Sequence, residues 1–224
     1  MTLPPRKRQV FVTGATGYLG ARLIPLLLER GHRLTALARQ ESIGKVPHGC
    51  DIVIGNPLDA GSFTDSLRGA DTLVQLVGVP KPAPWKGPQF RAVDGPAALA
   101  AVQAARTVGL PHVLYVSVAH PAPIMRDYIA VRRACEAAIE EAGLVATIMR
   151  PWYILGPGHW WPLVLQPWYR LLERIPNTRM AATRLGLVTM REMLTAMVWA
   201  IEQPPDRWRV MDVSEIRRRG VGES

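Results

Sequence analysis

The chain has 224 residues, of which 48% are hydrophobic and 20% charged, and it carries a net charge of +9. Apolar content this high for so modest a charge excludes a disordered chain, and the length suits one generous domain that hides about 70% of its unfolded surface. The two cysteines, Cys50 and Cys135, lack metal-ligand spacing or a secretory context, so no metal site or disulfide scaffold is expected; both read as buried free thiols.

In chain order, residues 9–13 read as a short buried strand, followed at once by Gly14-Ala-Thr-Gly17-Tyr-Leu-Gly20. Residues 19–30 have helical spacing and end at Gly31. Strands are predicted over 33–38, 51–55 and 72–78, with a short helix over 58–67. Four prolines within 79–88 signal a loop. A helix over 96–108 opens on Pro96, which suits a first turn. A strand over 112–118, a helix over 127–142 and a strand over 145–149 follow. This alternation predicts an α/β fold, a doubly wound parallel sheet.

After Arg150-Pro151 the texture changes. Residues 152–169 hold four of the seven Trp. A helix near 190–203 follows, and basic and polar residues finish the chain. The expected division is a sheet domain over 9–150 and a small C-terminal cap over 151–224, too small and irregular for a separate domain.

The basic N-terminal residues Arg6-Lys7-Arg8 imitate the start of a signal peptide, but Val10-Phe11-Val12 is too short for its apolar core. The two longest uncharged runs, 107–125 and 151–169, are interrupted by prolines and read as no membrane span. A cytoplasmic chain with no transmembrane segment is expected. Arg6-Lys7-Arg8 and Arg217-Arg218-Arg219 read as solvated tails, with anionic-membrane or nucleic-acid contact as the alternative. No nucleic-acid-binding signature is present, so no nucleic acid is expected.

The glycine pattern Gly14-x-x-Gly17-x-x-Gly20 is weak alone, but here a strand precedes it and a helix follows. Small residues let backbone N–H groups approach a diphosphate, and the helix start adds partial positive charge. Dinucleotide binding is the functional reading, with a merely structural tight turn as the alternative.

The segment Thr13-Gly-Ala-Thr-Gly-Tyr-Leu-Gly20 resembles the start of extended and atypical short-chain dehydrogenase/reductases. Gly55-Asn-Pro-Leu-Asp59, Val77-Gly78-Val79 and Arg150-Pro151-Trp-Tyr-Ile-Leu-Gly156-Pro157-Gly158 resemble later motifs of that superfamily. By texture the chain is most similar to the nitrogen-repression-regulator type and the Rossmann accessory subunit of respiratory complex I. The resemblance implies a Rossmann fold and an NAD(P) cofactor, with Gly14, Thr16, Gly17, Tyr18, Leu19 and Gly20 at the phosphates. It further implies Asp59 at the adenine, and Val77, Gly78, Ser117 and Pro151 along the coenzyme.

NAD-binding members carry an acidic residue at the end of the second strand. Here Leu37-Ala38-Arg39-Gln40 offers Arg39 to a 2′-phosphate, so NADP is expected over NAD. The resemblance also implies a Ser, Tyr and Lys set for proton transfer. Tyr128 is in place, but Arg132 stands where Lys is expected, and Ala119 aligns with the Ser. Arg132 keeps the charge in a larger planar fork. Tyr128 with Arg132 is the expected modified pair, and His120 and His159 are alternative acids. Trp152, Trp160 and Trp161 would wall an apolar pocket for a small carbonyl, quinone or flavin, or else pack an interface. A reductase, a non-catalytic dinucleotide-binding sensor and a sugar-nucleotide-type epimerase or dehydratase remain open at this point.

Overall fold

The computed structural model describes residues 6–122, 124–157 and 185–221. In chain order these form β1 (Gln9–Thr13), α1 (Gly20–Glu29), β2 (Arg33–Ala38), β3 (Asp51–Ile54), β4 (Thr72–Gln75), α2 (Gly95–Val108) and β5 (Val113–Val116). There follow α3 (Arg126–Glu141), β6 (Ala146–Met149), β7 (Tyr153–Leu155), β8 (Leu187–Thr189), α4 (Met190–Glu202), β9 (Trp208–Met211) and α5 (Val213–Gly220). Trp160, Trp161 and His159 lie outside the described residues.

The main sheet has seven parallel strands in the order β3-β2-β1-β4-β5-β6-β9. The chain winds outward from β1 to β3, then returns to place β4 on the other side of β1. This reversal leaves a crevice at the carboxyl ends of β1 and β4, where doubly wound sheets bind ligands. The central strands read as continuous apolar runs because both faces are covered. On one face α1 and α4 bury Leu23, Ile24 and Leu27 against Met193, Met197 and Ile201. On the other, α2 and α3 bury Ala98, Ala101 and Ala105 with Cys135 and Ile139. The alanines of α2 let that helix lie close to the sheet.

The division at residue 150 does not hold. β9 pairs with β6, Ala146 opposite Trp208 and Met149 opposite Met211, so the C-terminal residues supply the seventh strand of the main sheet. α4 belongs to its core as well. Four residues within a basic stretch give too little periodicity to announce a strand. Nor is Arg217-Arg218-Arg219 a solvated tail: it lies in α5. Arg217 donates twice to the Leu187 carbonyl, at 2.9 and 2.7 Å, and Arg219 stacks 3.9 Å from the centre of the Trp199 ring. Arg209 also lies over that ring, 4.7 Å from its centre.

The helix predicted over 58–67 is instead two 3₁₀ turns, Ala60–Ser62 and Asp65–Leu67. Asp59 accepts from the Gly61 amide and Ser62 donates to the Asn56 and Asp59 carbonyls, local bonds that compete with a continuous helix.

His112, at the foot of β5, is buried between Thr72 and Thr147, 3.2 and 3.0 Å from their hydroxyls. Burial, helped by the charges of Arg8 and Arg209, pushes its pKa down to about 3. The unfolded chain therefore binds a proton at His112 that the folded chain refuses. Stability falls as pH drops from the ordinary histidine value of about 6.5 toward 3 and is unaffected by this group above it. Urea midpoints of wild type and His112→Gln between pH 7 and 4 check this: the decline should be shallower in the variant.

Candidate active site

The turn after β1 is shaped by backbone contacts that admit no side chain. Gly14 has φ +73°, and a Cβ there would lie 2.9 Å from the Leu76 carbonyl carbon. A Cβ on Gly20 would meet the Gly14 carbonyl oxygen at 2.3 Å and the Ala15 backbone at 2.8 Å. The Gly17 amide donates to the Gly14 carbonyl at 3.0 Å and closes the turn. The start of α1 is thereby held against the end of β1.

Two adjoining clefts meet at this turn. The first, about 540 Å³, runs past Gly14, Thr16 and Gly17 to Ala38, Arg39 and Ser42 and is floored by Asn56, Pro57 and Leu58. The second, about 530 Å³, runs past Tyr18, Leu19 and Gly20 to Ser117, Tyr128, Arg132, Pro151 and Trp152. Val77 lines the first, and Gly78 lines both. The two are continuous through shared lining at Gly14, Gly17, Leu76, Val79 and Pro80.

Asp59 is not among the lining residues. Its carboxylate caps the neighbouring 3₁₀ turn through the Gly61 amide at 2.9 Å, and the three residues before it take the floor. Ala119 is also outside the lining: it is buried, and its amide donates to the Pro151 carbonyl at 2.9 Å. Ser117 is the hydroxyl the structure brings to the second cleft, buried and with its Oγ unpartnered. His120 faces Glu136 at 3.6 Å, and Arg150 grips the same carboxylate. Burial and the Arg150 charge push its pKa down.

Arg132 is buried to 6% exposure and thoroughly engaged. Nη2 donates to Asp94 Oδ1 at 2.7 Å, and Nη1 donates to the Val116 carbonyl at 2.8 Å and to the Tyr115 hydroxyl at 3.2 Å. Its Cζ lies 5.1 Å from the centre of the Tyr128 ring, so the cation sits over the ring. Burial opposes the charge, but Tyr128, Tyr115 and Asp94 hold the pKa of Arg132 above the ordinary arginine value. Tyr128 is braced from another side by Phe90, with ring centres 4.8 Å apart.

Asp94 is the residue that sequence reasoning missed. An acid just before Gly95-Pro96 and an alanine-rich helix has the look of a helix cap. Instead it has helical backbone, forms no side-chain cap, and closes a π-helical turn over Phe90–Asp94 that turns it inward. Its second oxygen accepts from the Val79 amide at 2.9 Å. Asp94 thus ties the loop after β4 to Arg132 on α3. Gly78 leaves room for the pair: a Cβ there would lie 2.4 Å from Arg132 Nη2. Burial raises the pKa of the Asp94 carboxyl, against the pull of Arg132 and the Val79 amide.

The residues present fit a dinucleotide. The glycine turn forms a cradle that a Cβ would fill, and Ser117 Oγ and Arg132 Nε are buried polar atoms without partners beside it.

Residues 14–157 match the model of a family described as NAD(P)H-binding. The chain belongs to this NAD(P)H-binding family, and its doubly wound parallel sheet is a Rossmann fold. It is 29% identical to a ceramide reductase of Caulobacter vibrioides over 94% of this chain and 66% of that protein. It is 31% identical to a divinyl chlorophyllide a 8-vinyl-reductase of Oryza sativa subsp. indica over 52% of this chain and 31% of that protein. The chain therefore spans just under two thirds of the first relative and under a third of the second. Among solved structures, WbmH of Bordetella bronchiseptica in complex with NAD+ superposes with a TM-score of 0.67 at 18% identity, covering 95% of this chain and 80% of that one. Among the described residues, no helix is long and apolar enough to cross a membrane.

Proposed function

We propose that the chain is an NADP(H)-dependent reductase of an apolar carbonyl compound. The observation that carries this reading is the meeting of Ser117, Tyr128 and Arg132 in one apolar cleft beside the glycine turn. The nicotinamide, when bound there, supplies the hydride. Tyr128 gives its phenolic proton to the acceptor oxygen, and the Arg132 guanidinium lies over its ring. Ser117 Oγ orients the acceptor or the coenzyme amide. Val79, Val116, Val118, Trp152 and Ile154 exclude water from the reacting atoms. The relative named as a ceramide reductase, matched along nearly the whole chain, supports an apolar acceptor.

Preference for NADP(H) is drawn from Arg39, which lines the cleft at the end of β2 and can pair with a 2′-phosphate. The guanidinium lies 3.2 Å from Glu41, an exposed pair that a phosphate must displace. Arg39→Ala should weaken NADPH binding by about 1.5–3 kcal/mol, the value of a charged hydrogen bond, and leave NADH binding unchanged. Fluorescence titration with both coenzymes checks this; tighter binding of NADH than NADPH by the wild type would overturn the preference.

A second reading, a dinucleotide-binding protein without turnover, is favoured by one observation. Both terminal nitrogens of Arg132 are already engaged by Asp94, Val116 and Tyr115. NADPH oxidation with long-chain ketones, quinones and flavins separates the two. Turnover that Tyr128→Phe lowers by about 10²–10⁴-fold supports the reductase. NADPH binding without turnover on any of them supports the binding protein.

A further inference from the structure

The largest apolar exposure among the described residues is Trp85, at 80%. It stands in the proline-rich loop after β4, on a turn, Pro84–Lys86, that packs against α3. Gly87, beside it, leaves room for Asp127, whose carboxylate a Cβ there would strike, and Arg91 pairs with the same Asp127 at 3.1 Å. Just before α3 lies Ile124, exposed to 55%. The two apolar side chains are thus carried on loops that meet at the start of α3. Pro80, Lys81 and Pro82 of the first loop also form one lip of the cleft that holds Tyr128.

Charge on this face is one-sided. Residues 79–93 contain Lys81, Lys86 and Arg91 and no acid; residues 120–134 contain the exposed Arg126 and Arg133, and their one acid, Asp127, is paired with Arg91. The described residues outside glycine with left-handed backbone are Lys81, at φ +50°, and Met125, at φ +62°, one in each loop. Such backbone is retained against a local energy cost, which marks places where the loop's shape matters. An exposed Trp and an aliphatic side chain ringed by cations match the water–lipid interface of an anionic bilayer, where the indole sits at headgroup level and each cation gains from the surface potential.

We propose that this loop pair seats the protein on an anionic lipid surface with the Tyr128 cleft opening beside the bilayer. An apolar acceptor then enters from the lipid phase without crossing water. That last step rests on the reductase reading; the seating itself does not.

Co-sedimentation of the full chain with vesicles of phosphatidylcholine and phosphatidylglycerol in equal parts, and with phosphatidylcholine alone, tests the seating. Binding is expected to the mixed vesicles, reversed by high salt, and much weaker to phosphatidylcholine. Trp85→Ser with Ile124→Ser should reduce partition at least tenfold, and Arg126→Gln about fivefold, the equivalent of one interfacial cation. Ile54→Thr, at another apolar residue exposed to 56%, should change nothing. NADPH titration of each variant shows whether it is folded and reports on the coenzyme site separately. No binding to mixed vesicles overturns the proposal. So does binding that the double variant retains, since other basic segments would then carry it. Vesicle binding without NADPH turnover leaves the seating standing and removes the reductase.

Discussion

Asp94→Ala is expected to destabilise the protein by about 3–5 kcal/mol. The reason lies in what remains. The Arg132 guanidinium is buried, and Asp94 is the carboxylate that faces it, at 2.7 Å. Removal of one member of a buried pair leaves an uncompensated charge in a low-dielectric interior. The Val116 carbonyl and Tyr115 hydroxyl still accept from Arg132, but they carry no countercharge. The Val79 amide loses its acceptor as well, so the loop that lines both clefts is released. A double variant, Asp94→Leu with Arg132→Met, should be closer to wild type in stability than Asp94→Ala, since a buried ion pair is replaced by apolar groups at little net cost. Urea denaturation of the three proteins measures this. Equal losses in Asp94→Ala and the double variant would show that the pair is not the source of the effect.

Gly20→Ala is the second large expectation. The added Cβ falls 2.3 Å from the Gly14 carbonyl oxygen, and the opposing atoms are backbone with no freedom to rotate away. Either α1 or the end of β1 must shift. Overpacking of this kind costs typically 1–3 kcal/mol, and a backbone collision belongs at the upper end, about 3 kcal/mol. The shift moves the turn that lines both clefts and would hold the coenzyme. Loss of only about 1.4 kcal/mol of that contact is tenfold in coenzyme affinity. Thermal melts with and without NADPH should therefore show two effects: a lower midpoint, and a smaller rise on adding coenzyme. A normal ligand-induced rise in Gly20→Ala would place the coenzyme away from this turn.

The strands from β1 to β6 were legible because each is an apolar run between turn residues, and Gly14, Gly17 and Gly20 were legible because their context is local. β9 was not: Trp208-Arg-Val-Met211 gains its strand character from β6 and from the Arg209–Trp199–Arg219 stack, none of it adjacent in sequence. Asp94 was hidden for the same kind of reason. Its role is set by a π-helical turn and by Arg132, 38 residues away. The bond between the Asp59 carboxylate and the Gly61 amide was not legible, because it needs the 3₁₀ turn in place of the expected helix. Arg132 was placed correctly beside Tyr128, but its hydrogen bonds could be known only once Asp94, Tyr115 and Val116 were in view.

The glycine turn and the two clefts that meet there are the proposed seat of a nicotinamide dinucleotide. Isothermal titration of the purified chain with NADPH tests that most directly. A saturable one-to-one isotherm, abolished or strongly weakened in Gly20→Ala, is the predicted result. Absence of heat with NADPH, NADP+, NADH and NAD+ alike at millimolar concentration, from protein shown to be folded, would contradict it.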